Sequence, residues 1–173
     1  SPEAVMFALK PLSKSAVPAA LAKAERYRLL NEPAQAASIC EDVLRVEPDH
    51  NGARVALLLA LTDQFESGEQ SAALAQARTI VPQLPTEYER AYYGGLIAER
   101  RALAILAMGS PGSGFMAYDW LREAMTSFER AEAVRPPDND DAILRWNACA
   151  RVLMRHPHLK ARDVERDMPL ALE

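Results

Sequence analysis

Three prolines, Pro48, Pro85 and Pro136, close the same series of small and apolar residues. Five positions before them stand Val43, Ile80 and Ala131. Eight before stand Cys40, Ala77 and Phe128, and twelve before stand Ala36, Ala73 and Ala124. Steps of three and four put each series on one face of an α-helix. The outermost column is alanine three times, as expected where two helices approach too closely for a larger side chain. Helices of this length are marginal alone in water. The chain is therefore expected to fold as helices packed in pairs.

The first pair spans residues 18–47. Its first helix carries Leu21, Ala24, Tyr27 and Leu29, and the turn is Asn31-Glu32-Pro33. Pro33 suits the first turn of the next helix, where its missing N–H removes no bond. Asp49 is the expected cap for the following helix, which runs over about 51–66 with Val55, Leu57, Leu58, Leu59 and Leu61. Ser67-Gly68 should close it, and its partner runs over about 69–81. The third pair opens at Thr86, with Glu89 three positions on, a capping-box spacing. Its first helix, 87–108, contains Gly94-Gly95, which mid-helix mark a close helix approach. Gly109 to Gly114 reads as a loop. The partner helix, about 115–134, turns Trp120, Leu121, Ala124, Phe128 and Ala131 inward. A last helix starts in Asp138-Asn139-Asp140-Asp141 and ends near Arg155. It places Ile143, Trp146, Ala150 and Met154 on one side and Arg145, Arg151 and Arg155 on the other. The organisation is an arm at 1–16, a repeat domain at 17–155 and a tail at 156–173, apolar at Met168, Leu170 and Leu172.

Charge and motifs narrow the function. Twenty Lys and Arg against 24 Asp and Glu leave a net charge of −4, which argues against nucleic acid as the main partner. No run of 18 apolar residues exists, so no membrane span and no membrane partner are expected. Cys40 and Cys149 lie in apolar helical patterns and read as buried free thiols. Gly109 to Gly114 lacks the Gly-Lys-Ser/Thr ending of a phosphate loop. Asp138 to Asp141 lacks the glycine and distal glutamate of a calcium loop, and His156 and His158 lack a third metal ligand. No serine or cysteine has a readable base partner. An enzyme, a cofactor and a metal are not expected.

The alanine–apolar–proline series resembles the tetratricopeptide repeat family. Ala24 and Gly95 match the small residue of its first helices, Tyr27 the aromatic three further on, and Asn31 and Gly68 the turn. The resemblance covers 17–155. The proline spacings are 37 and 51 residues, against a family period of about 34. The second copy has Leu58 where a small residue is usual. The excess in the third falls in a lengthened first helix and the Gly109 to Gly114 loop. The resemblance implies an all-α fold, an α-α superhelix of about three helix pairs plus a C-terminal capping helix. It implies a concave groove lined by the first helix of each pair. The residues mapping there are Leu21, Glu25 and Arg28, then Val55, Leu59 and Thr62, then Tyr92, Leu96 and Glu99. The expected function is a non-catalytic scaffold binding a protein or peptide in that groove, with Tyr92 and Arg28 as anchors. Two other functions fit the pattern. One is a structural module that forms homo-oligomers through its N-terminal arm or C-terminal tail. The other is a regulatory domain of a larger enzyme or transcription factor. A cytoplasmic location is expected, although the sequence begins at Ser1 rather than Met.

Overall fold

Helix formers dominate the chain, and its prolines and left-handed residues divide them into discrete rods. The computed structural model describes residues 6–65 and 70–163. Among these residues there are seven α-helices and no strand: α1 (Val17–Leu29), α2 (Pro33–Val46), α3 (Asn51–Thr62), α4 (Gln70–Ile80), α5 (Glu87–Met108), α6 (Ser113–Ala133) and α7 (Asp141–Arg155). The all-α expectation holds. The expected stop at Ser67-Gly68 and the apolar tail positions Met168, Leu170 and Leu172 lie outside the described residues.

The chain divides into two compact units, Ser1–Gln64 and Phe65–Glu173. In the first unit α2 packs on both α1 and α3. Asn31 adopts a left-handed φ of 59°, a conformation that asparagine tolerates better than most residues, and this turns α1 back onto α2. Ala24, Ala36, Cys40 and Val43 are buried between the helices. A second cluster holds Val17, Val43 and Ala53, with Leu21 and Leu12 packed against it, so Leu12 anchors the N-terminal arm to this unit. Met6, Phe7 and Leu9 of the arm are exposed.

α3 starts and ends differently from the sequence reading. His50, not Asp49, is its N-cap. The His50 Nδ1 accepts the Ala53 N–H at 3.0 Å, while Asp49 points to solvent and meets Arg54. α3 stops at Thr62, short of residue 66, and Arg28 of α1 holds Asp63 just beyond it.

In the second unit α5 and α6 form a long antiparallel-length pair, and α7 packs mainly on α6. Thr86 caps α5 as expected, its Oγ1 accepting the Glu89 N–H at 3.1 Å. The hydroxyl also donates to the Glu89 carboxylate. The loop is shorter than Gly109 to Gly114. Gly109 and Gly112 take left-handed φ values of 62° and 78°, and α6 already begins at Ser113. The core of this unit gathers Ala98, Ala102, Leu121, Ala124, Phe128 and Cys149. α7 is rotated from its expected register. Ala142 and Cys149 are its buried positions, whereas Met154 is 78% exposed.

All nine residues of the three proline-anchored columns are buried. The expected second helix pair is divided, α3 belonging to the first unit and α4 to the second.

Candidate functional site

Burial decides which of the nine residues mapped to the groove are available, Val55 among the half-buried ones. Thr62, Leu96 and Glu99 are 3%, 2% and 4% exposed, so they serve the fold in this arrangement. The Thr62 hydroxyl donates to the Leu59 carbonyl at 2.8 Å. In the first unit Leu21 and Leu59 are half-buried and Glu25 is exposed. Arg28 is already engaged: its Nε lies 2.7 Å from Asp63 Oδ2 and its Nη2 3.4 Å from Oδ1. That two-point ion pair ties the end of α1 to the end of α3 and occupies the charge expected to face a partner.

The third expected row, Tyr92, Leu96 and Glu99, is where α7 arrives. Arg145 of α7 donates to Glu99 at 3.5 Å. Burial lowers its pKa, but the neighbouring Tyr92 and Glu99 raise it above the ordinary value. The Tyr92 ring is half-buried, stacked on Tyr88 and tilted against Phe128. Burial pushes the Glu99 carboxyl above its ordinary range, against the opposing pull of Arg145, the Cys149 thiol and Arg100. Arg145 was expected on the solvated side of α7. Its side chain stays 42% exposed while its tip reaches the buried Glu99 carboxylate. Nothing in the sequence pairs residues 99 and 145, which lie on different helices.

The cysteines are buried thiols. Burial pushes Cys40 up to about 11 and Cys149 up to about 12. Both are therefore protonated near neutral pH, and a protonated thiol is a poor nucleophile.

The opposite stripe of α5 is exposed or half-exposed at Glu87, Arg90, Ala91 and Gly94 and buried at Ile97 and Ala98. Glu87, Arg90, Ala91, Gly94, Ile97 and Ala98 recur at steps of three and four. They line a cleft of about 430 Å³ whose other walls come from α4 with the turn after it, and from α6. α4 supplies Arg78, and Val81 and Pro82 follow it; α6 supplies Trp120, Glu123, Ser127 and Arg130. The Arg78 guanidinium sits 5.0 Å from the centre of the Trp120 ring, within cation–π range. Arg90 donates to the Leu84 carbonyl at 2.8 Å, and Arg130 reaches the Ser127 hydroxyl at 3.4 Å. An apolar floor with polar groups at its edges is the usual make-up of a binding cleft.

The sequence reading missed this cleft. It placed Trp120 inward with Ala124 and Phe128, and the half-buried ring does pack against their core, but it also forms a wall of the cleft. The three arginines come from three helices and form no cluster along the chain. Gly94 was the available signal: a glycine inside a long helix whose neighbour Gly95 already explains the close packing.

No helix among the described residues is long and apolar enough to cross a membrane. No protein-family profile, curated sequence or solved structure matches the chain.

Proposed function

We propose that this chain is a non-catalytic protein-interaction scaffold of tetratricopeptide-like helix pairs, acting in the cytoplasm and binding a protein or peptide partner. The observation that carries the reading is the cleft beside α5, which combines apolar lining residues, a half-buried tryptophan and three exposed arginines. Partner surfaces draw most of their binding energy from aromatic and arginine anchors of this kind. The buried proline-anchored columns support the helix-pair reading. The protonated, buried cysteines favour a binding role over nucleophilic chemistry. The partner site moves from the expected groove row at Tyr92, Leu96 and Glu99 to the opposite stripe of the same helix.

The test is capture on the immobilised chain from an extract of its native source, followed by calorimetry with each captured protein in purified form. One-to-one binding by a purified protein is expected. Turnover of a small-molecule substrate by the isolated chain, with no stoichiometric protein partner, would overturn the reading.

Self-assembly is a second reading, favoured by the exposure of Met6, Phe7 and Leu9 at 92%, 85% and 65%. It expects a mass in light scattering that rises with concentration and returns to the monomer value when residues 6–9 are deleted.

A further inference from the structure

We infer that the cleft between α4, α5 and α6 takes an acidic peptide segment, with side-chain carboxylates of the segment on Arg78, Arg90 and Arg130. The inference rests on the protein-binding reading above and specifies its ligand.

Two independent observations carry it. The first is the state of the arginines. Some guanidinium groups elsewhere in the described residues meet carboxylates, as Arg28 does with Asp63, Arg54 with Asp49, Arg135 with Asp140 and Arg145 with Glu99, whereas Arg122 bonds a thioether sulfur. In the cleft, Arg78, Arg90 and Arg130 make no ion pair among the described residues, although Glu87 and Glu123 line the same cleft. Their bonds go instead to a ring, a carbonyl and a hydroxyl. Each guanidinium has five N–H donors in a planar fork that fits a carboxylate, and all three arginines are exposed, so donors remain for a ligand.

The second observation is Gly94. Glycine inside a helix costs about 1 kcal/mol relative to alanine. A Cβ at Gly94 would meet nothing within 4 Å, so packing inside the protein does not require the glycine. It stands on the floor of the cleft. Leaving out the side chain there keeps the α5 backbone accessible to a chain lying in the cleft.

Charge sets the kind of anion. Three arginines against two glutamates leave the lining with one excess positive charge, on a chain of net charge −4. A peptide with one or two carboxylates and small apolar side chains matches that lining. A nucleic-acid backbone needs clustered cations without interposed acids, and Glu87 and Glu123 repel it.

The probe is a fluorescent pool of ten-residue peptides rich in Asp, Glu and small apolar residues, with a matched pool carrying Asn and Gln. Anisotropy with the whole chain should show the acidic pool binding at least tenfold more tightly, with the preference shrinking as salt rises. Arg78→Glu with Arg130→Glu should abolish the preference. Gly94→Leu should weaken binding at least tenfold without lowering the thermal midpoint, and Gly94→Ala should fold and bind less severely impaired. Equal binding of both pools, no binding of either, an unchanged preference in the charge-reversed variant, or unweakened binding by Gly94→Leu would overturn the inference. So would tighter binding of polyuridylate at the same arginines. A native partner that still binds these variants in calorimetry would overturn the cleft assignment while leaving the protein-binding reading intact.

Discussion

Gly95 lies so close to Phe128 that a Cβ at 95 would stand 2.7 Å from the Phe128 Cε1 atom. Phe128 is fully buried on the facing helix, so its ring has little room to swing aside. The neighbouring Gly94 has open space instead. One glycine is fixed by packing between α5 and α6, and the other borders the cleft.

This contrast gives a paired test. Gly94→Ala and Gly95→Ala share the same gain in helix propensity, about 1 kcal/mol. Their difference isolates the steric term. Gly95→Ala is expected to lie below Gly94→Ala by about 1–3 kcal/mol, the usual cost of overpacking. Urea denaturation of both variants measures it. Equal stabilities would mean that the α5–α6 spacing is looser than the contact implies.

The individual helices were legible because their determinants are local. Proline stops, the alanine column and the Thr86–Glu89 cap all act within one or two turns, and α5 and α7 begin and end where the pattern puts them. Positions dictated by tertiary partners were less legible. His50 displaced Asp49 as a cap because Arg54 draws the aspartate outward. Arg145 stays 42% exposed, yet it reaches a carboxylate that the sequence placed in a groove. Trp120 and Met154 share helical faces with buried residues, but those faces end at a cleft and at solvent. Periodicity gives the direction of a side chain, and it does not say whether another element lies there.

The alanine column itself can be tested at Ala124, which is fully buried against α5 and α7 residues of the second unit's core. Ala124→Leu should cost about 1–3 kcal/mol. Ala133→Leu, at the exposed end of the same helix, should stay within about 0.5 kcal/mol of the parent. Denaturant midpoints at a fixed slope check both. An unaltered midpoint for Ala124→Leu would remove the argument for close helix contact at that column.

His50 should contribute as a side-chain cap. Its ring nitrogen takes one of the amide protons that the first turn of α3 leaves without a helical partner. His50→Ala is expected to cost about 1 kcal/mol, and His50→Asn to recover most of it, because asparagine is among the best capping residues. Equal losses in the two variants would show that ring packing, rather than the accepted bond, is what matters at this position.

The last prediction concerns pH and the buried Glu99. Its carboxyl is raised above the model-compound value of 4.5, chiefly by burial, with Arg145 acting in the opposite direction. A raised folded-state value means that the native chain holds this proton more tightly than the unfolded chain. Between the unfolded and folded values the native state carries more protons, so stability falls as pH rises through that window. The contribution is complete below the unfolded value and is lost above the folded one. Glu99→Gln removes the titration while keeping an acceptor for Arg145. The stability of the parent minus that of the variant should therefore decrease as pH rises above about 4.5 and then level off. Other titrating groups largely cancel in the difference, because they are common to both proteins. Urea midpoints taken at intervals from acid to neutral pH follow it. A difference that grows with pH would show that the ion pair with Arg145 outweighs the cost of burying the carboxylate, and that α7 is held on α5 by charge rather than in spite of it.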